Sequence, residues 1–284
     1  MFLKRLSIAV MCAVVLSAGL TACGKDVDTK ENGEKTSFTS SDKTDKNDKD
    51  KDKNKDKDKD KNSSASNSQN AEIVNFTAPQ KGEQIVIMKI KDYGEVKFKL
   101  FPDLCPKGVE NFVELAKRGY YDELIFHRVI NNFMIQGGDP KGNGTGGTSI
   151  WGEKFDGGVS PNLCHAAGAL AYANSGSTAT NGSQFYVVTG TVYSEDDLRS
   201  LEMSSGTNMN ENARAIYSTV GGTPWLDGGY TVFGQVFDGL DVIFEIQKTA
   251  TDGNDKPYEA VVIESVKVSE YNGEELKWYI SDYN

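Results

Sequence analysis

The chain reads as an all-β dominated protein, a closed antiparallel barrel capped by two α-helices, with a helical insertion late in the sequence. Three observations predict this. Many short runs alternate apolar and polar residues at strand period. Glycine-rich turns separate them. Outside the insertion, only two segments space their apolar residues as a helix does, so strands must supply most of the core. Closing the sheet on itself also removes the edges that invite pairing with other chains.

In chain order, Ile85 to Ile90 and Val96 to Leu100 alternate as two strands joined by a turn at Asp92-Tyr93-Gly94. Pro106 opens a helix at a favoured first-turn position, with Val109, Phe112, Val113 and Ala116 at helical spacing and Gly119 as its stop. Strands are expected at Phe126–Ile130, Phe133–Gly137, Ala169–Ala173, Phe185–Thr189 and Val232–Val236. A second helix runs from about Leu240 to Gln247, and Val261 to Val268 closes the domain as a long alternating strand. Within the insertion (about residues 190–224), Ser194 precedes Glu195, Asp196 and Asp197, a helix start with acids in its first turn. Leu198, Leu201 and Met203 are expected near one face, and Asn210 to Tyr217 forms a second short helix.

The first 78 residues have a different composition. Lys4 and Arg5 precede an apolar run from Leu6 to Leu20, too short for a comfortable membrane span but suited to a signal peptide over residues 1–22. The run ends in Leu20-Thr21-Ala22-Cys23-Gly24, which resembles the lipobox of bacterial lipoproteins; that resemblance implies lipidation of Cys23 and an extracytoplasmic protein anchored to the cell membrane. Several acyl chains, at about 0.8 kcal/mol per buried methylene, make a durable anchor where one does not. Residues 23–78 read as a disordered linker, with eight Asp and nine Lys between Asp42 and Lys61. Asp50, Asp52 and Asn54 match calcium-loop spacing, but Lys55 stands at the glycine position and Lys61 at the bidentate glutamate position, so a solvated spacer is expected. Such a coil would reach about 40 Å on average and about 190 Å when pulled straight. From Pro79 onward there are 28 acidic and 17 basic residues, a net charge of −11, which argues against nucleic acid as a partner. Cys105 and Cys164 are the cysteines left in the folded part, either bridged or as two buried thiols.

Three ordered motifs carry the functional reading. The first is Phe126-His127-Arg128-Val129-Ile130-Asn131-Asn132-Phe133-Met134-Ile135-Gln136-Gly137-Gly138-Asp139. A guanidinium among apolar side chains is costly unless its five donors have work. The second runs from Gly168-Ala169-Leu170-Ala171-Tyr172-Ala173-Asn174 into Asn181-Gly182-Ser183-Gln184-Phe185-Tyr186, and the third is Trp225-Leu226-Asp227-Gly228-Gly229-Tyr230-Thr231-Val232-Phe233-Gly234. Together they resemble the cyclophilin-type peptidyl-prolyl cis-trans isomerases, over roughly Gln80 to Glu270. The resemblance implies an eight-stranded barrel, an insertion absent from compact members, and a monomer acting on proline-containing unfolded or exported polypeptides.

It also implies roles for residues. Arg128 would be the catalytic donor, and Gln136 and Gln184 would hold the arginine and the substrate carbonyl. Phe133, Met134, Tyr186 and Leu226 would form the proline pocket, Trp225 its rim, and Ala173 and Asn174 the backbone edge that pairs with an extended peptide. Tyr186 stands where many members have Phe; Tyr230 stands where many eukaryotic members have His, after Gly229 in place of Lys. The reaction itself needs no metal, nucleophile or cofactor, because the barrier is amide resonance of about 18–20 kcal/mol. With His127 and His165 as the only histidines and no Asp or Cys at ligand spacing, a metal site is not expected. Gly137 to Gly147 lacks a following Lys-Ser/Thr and reads as a turn, not a phosphate cradle. The alternative is a non-catalytic proline-peptide-binding or chaperone module using the same groove. The insertion is expected to tune substrate choice, so that its removal spares activity on a small Ala-Pro peptide.

Overall fold

A computed structural model describes residues 71–206 and 208–278; the expected signal peptide, Cys23 and the Asp/Lys tract lie outside that range. The alternating runs become eight antiparallel strands: β1 (Gln84–Ile90), β2 (Gly94–Leu100), β3 (Arg128–Ile130), β4 (Met134–Gly137), β5 (Ala169–Tyr172), β6 (Phe185–Val188), β7 (Val232–Asp238) and β8 (Ile263–Glu270). They form one sheet in the order β3-β4-β6-β5-β7-β2-β1-β8. Its ends, β3 and β8, meet through the residues leading into each. Glu123 N–H donates to Ile263 O at 2.8 Å, Ile263 N–H to Leu124 O at 2.8 Å, and Phe126 N–H to Val261 O at 3.0 Å. The curled sheet therefore joins over a few residues and not a full ladder, because β3 is only 3 residues long.

Four helices accompany the sheet: α1 (Pro106–Lys117), α2 (Glu195–Ser205), α3 (Glu211–Thr219) and α4 (Leu240–Ile246). Pro106 starts α1 and Gly119, at φ +67°, follows its end, as the sequence pattern requires. Val109, Phe112, Val113 and Ala116 turn inward, where Phe112 packs on Tyr121, Phe185 and Phe233. Buried Asn111 is fully paired: it donates to Tyr172 Oη and Gly182 O, each at 2.9 Å, and accepts from Ile150 N–H at 2.9 Å.

Strand period divides the sheet into two apolar faces. Val129, Ile135, Leu170, Tyr172, Phe185 and Val187 enter the large interior core. Their neighbours Met134, Ala169, Ala171, Tyr186 and Val188 belong to a second cluster on the opposite face, with Leu226, Val232 and Phe133. Cross-strand register then aligns Arg128 with Gln136, Gln136 with Tyr186, and Tyr186 with Ala171. One row across four strands thus places the guanidinium, an amide, a phenol and a small residue side by side, outside the barrel interior.

The insertion is a helical hairpin with its own small core. Ser194 caps α2 reciprocally with Asp197, and Asn210 caps α3 by accepting from Asn212 and Ala213 N–H. Leu198, Ala213 and Tyr217 are buried against Cys164 and Ala166. Met203 departs from expectation: at 82% exposed it faces solvent. Five residues beyond Leu198 the helix has turned well past the buried side. The hairpin closes at a neck where Gly222 bridges both Thr191 and Ala166. Gly222 sits at φ +146°, and a side chain there would strike His165 O, so only glycine fits.

The linker expected over residues 23–78 ends earlier. Asn75 is fully buried, donates to Cys164 O at 3.0 Å and Gln235 Oε1 at 2.9 Å, and accepts from Cys164 N–H at 3.0 Å. Ile73 and Phe76 pack against the insertion core. Lys99 Nζ donates to Thr77 O and Thr77 Oγ1 at 3.1 and 2.9 Å. Apolar residues too few for any periodicity hold this segment through partners distant in sequence. Cys105 and Cys164 are both buried and free; burial pushes the Cys105 thiol up to about 11 and raises Cys164 as well, so both stay protonated.

Candidate active site

The row on the outer sheet face floors an open groove of about 660 Å³. Arg128 and Gln136 line one side, and Phe133, Met134, Tyr186, Leu226 and Tyr230 form an apolar recess beside them. Ala173 and Asn174 complete the wall. These are nine of the eleven residues that the sequence motifs single out. Gln184 lies just behind: its Oε1 accepts from Gln136 Nε2 at 2.9 Å, while its own amide donates to Gly144 O at 3.0 Å and Gly146 O at 2.8 Å. Trp225, 49% exposed, stands outside the recess with its ring centroid 5.9 Å from that of Phe133. It also borders a second, more apolar recess of about 610 Å³ between the insertion and residues 159–164.

Local sequence explains each placement. Asn132, at φ +59°, makes the tight β3–β4 turn that sets Phe133 at the groove entrance, and its N–H donates to Gln247 Oε1 at 2.9 Å. The glycine-rich stretch after β4 is a turn, as expected. Asp139 accepts from the amides of Lys141, Asn143 and Gly144 at 2.7–3.1 Å. Burial opposes its ionisation, but these amides prevail and hold the carboxyl below its usual range. Ala173 N–H is donated to Gln184 O at 3.0 Å, within the sheet's own pairing.

Arg128 is half exposed and its Nε donates to Asp255 Oδ2 at 3.1 Å. The terminal guanidinium nitrogens make no hydrogen bond among the described residues, and Arg128 lines the groove. Asp255 comes from a tight loop whose Asp252 carboxylate accepts from Asn254 and Lys256 N–H at 2.8 and 3.0 Å. Asp255 itself is at φ +63°, and its carbonyl accepts from Val129 N–H at 2.8 Å. His127, beside Arg128, is buried with neither ring nitrogen partnered among the described residues. Burial lowers its pKa, leaving a neutral ring next to the guanidinium. Burial likewise raises the Tyr186 phenol far above its usual value, so it stays protonated.

Sequence reasoning missed Asp255, whose only signal was the turn-forming Asp252-Gly253-Asn254-Asp255 run, 127 residues from its partner. It also missed the pairing of His165 with Asp227, whose Nδ1–Oδ1 distance is 2.7 Å.

A cationic donor beside an apolar recess, on the outer face of a curled eight-stranded antiparallel sheet with capping helices, defines a protein of the cyclophilin class. A family model described as cyclophilin type peptidyl-prolyl cis-trans isomerase/CLD matches residues 85–268. A Staphylococcus aureus protein (strain USA300), provisionally named a peptidyl-prolyl cis-trans isomerase, is 48% identical over 191 residues, covering 67% of this chain and 94% of that protein. A Staphylococcus saprophyticus protein of the same provisional name is 43% identical over 189 residues, covering 66% of this chain and 94% of its own length. The crystal structure of a Cryptosporidium parvum cyclophilin type peptidyl-prolyl cis-trans isomerase is similar at 32% identity and a TM-score of 0.53, over 66% of this chain and 98% of that one. The same Cryptosporidium protein was also crystallised in the presence of the dipeptide ala-pro. The chain belongs to the cyclophilin-type peptidyl-prolyl cis-trans isomerase family, and its enzyme class is that of the prolyl isomerases.

Proposed function

We propose that this enzyme accelerates folding of exported polypeptides at the outer face of a bacterial cell membrane, anchored by lipid on Cys23, with Arg128 as the catalytic donor. The observation that supports the mechanism most directly is the row of Arg128, Gln136 and Tyr186 beside the Phe133–Met134–Leu226 recess. A proline ring in that recess would bring the prolyl nitrogen near the guanidinium. Twisting the amide pyramidalises that nitrogen and frees its lone pair, so a fixed cation donating there stabilises the twisted state over either planar one. Gln136, braced by Gln184, would hold the neighbouring carbonyl while the amide turns.

The test is Arg128→Ala in a protease-coupled assay on an Ala-Pro peptide. Catalytic efficiency should fall by about two to three orders of magnitude, the scale for losing one preorganised donor, with the fold retained. Wild-type turnover in the variant would make the groove a binding site only.

A further inference from the structure

Behind the groove, the insertion contacts the loop that carries the pocket wall. Tyr217, on α3, is fully buried. Its hydroxyl donates to Asp227 Oδ2 at 2.5 Å and accepts from His165 N–H at 3.0 Å. Asp227 Oδ1 in turn accepts from His165 N–H at 2.9 Å and faces His165 Nδ1 at 2.7 Å. A carboxylate only accepts, so the ring proton sits on Nδ1. Three donors therefore converge on one carboxylate, and one of them is supplied by the insertion.

Asp227 is placed where a small shift matters. It directly follows Leu226 and lies three residues before Tyr230, both of which line the groove. Otherwise this turn is fixed by short-range bonds, Leu226 N–H to Thr223 O at 3.0 Å, Asp227 N–H to Pro224 O at 3.2 Å and Gly229 N–H to Leu226 O at 3.1 Å, and by one long-range bond, Asn174 Nδ2 to Gly229 O at 3.0 Å. A second link from the insertion reaches the same turn, since Tyr193 meets Trp225 edge-on with ring centroids 6.4 Å apart.

We infer that Tyr217 is a positioning residue for the prolyl isomerase reaction: through Asp227 it sets the Leu226–Tyr230 wall of the proline recess. The insertion is thereby part of the site's scaffold, which deepens the reading proposed above and rests on it. The Asp227 side chain is 29% exposed, so water can take the place of a lost donor. Water does not tie the turn to α3 as the phenol does, and the backbone bearing the carboxylate is then freer to shift. That backbone is the pocket wall. A misplacement of about 1 Å at a positioned group costs up to about a hundredfold in rate, so a partial relaxation should be measurable.

The experiment is a double-mutant cycle on the full chain with an Ala-Pro tetrapeptide, read as kcat and KM. Tyr217→Phe keeps the ring and removes the hydroxyl; kcat/KM should fall about five- to tenfold, mostly through KM, because the wall binds the proline ring and does not touch the reacting nitrogen. Asp227→Asn should behave alike, and the double variant should be no worse than Asp227→Asn alone. Leu198→Ala, which loosens the insertion core without touching the carboxylate, should lower the melting midpoint and leave kcat/KM unchanged well below it. Wild-type KM in Tyr217→Phe, additive losses in the double variant, or a matching loss in Leu198→Ala would each overturn the inference. Calorimetric affinity for the same peptide separates this from the catalytic reading. Tyr217→Phe should weaken binding even if Arg128→Ala proves harmless to turnover, and unchanged affinity would again count against it.

Discussion

At the scale of single residues, the site is governed by how a guanidinium is held. Arg128 gives its Nε donor to Asp255, and its terminal nitrogens make no hydrogen bond among the described residues, which leaves them available for the role proposed above. Two effects oppose each other. The carboxylate partly neutralises the cation, which weakens it as a donor, and it also fixes the side chain's direction. Both groups are about two-fifths exposed, so water screens most of the charge effect. Orientation should win. Asp255→Asn is accordingly expected to lower kcat/KM by about three- to tenfold while stability moves by no more than about 0.5 kcal/mol, measured by peptide turnover and urea midpoint. A rise in activity would mean that neutralisation dominates. Arg128 and Gln136 were legible because they sit eight residues apart in one motif and the strand period returns them to one face. Asp255 was not, because nothing local ties a loop aspartate to an arginine more than a hundred residues earlier.

At the scale of elements, strands and capping helices followed directly from apolar periodicity, and the start of α2 from Ser194 and the acids after it. Less legible was what the insertion touches. The sequence reading expected a hairpin beside the groove whose removal spares small-peptide activity; the buried Tyr217 and its hold on Asp227 point the other way. Replacing residues 191–221 by a short glycine link between Gly190 and Gly222 is geometrically allowed, since their backbones already adjoin. Such a deletion exposes Ala166 and Cys164 and strips Asp227 of its phenolic donor. Activity on an Ala-Pro tetrapeptide should therefore fall at least as far as in Tyr217→Phe. Proline-limited refolding of a protein client should fall further, because the apolar recess beside Trp225 disappears as well. Full tetrapeptide activity after deletion would restore the expectation of a peripheral role.

At the scale of the whole molecule, the chain combines an acidic isomerase domain with an N-terminal segment, read from sequence alone, that holds an apolar run and a charge-balanced Asp/Lys tract. Net charge of −11 from residue 79 onward disfavours adsorption to anionic lipid, so membrane association should depend on Cys23. Cys23→Ala is expected to abolish palmitate labelling and to release the protein, or leave it held by an uncleaved leader, in a fractionation experiment. Labelling that persists would refute lipid attachment at that residue. The early start of the packed chain has a mechanical consequence. Asn210 Nδ2 and Asn212 Nδ2, at the start of α3, both donate to Ala71 O, at 2.9 and 3.0 Å. Tension arriving from the N-terminal side would load these two amide bonds first, then the bonds of Glu72 and Val74 to Asn162, and then those of Asn75 to Cys164, next to His165. Were the chain tethered through Cys23 as proposed, a stretched tether would pull on the hairpin that carries Tyr217 before it pulled on the sheet, so the wall beside the groove would be among the first parts to feel the force.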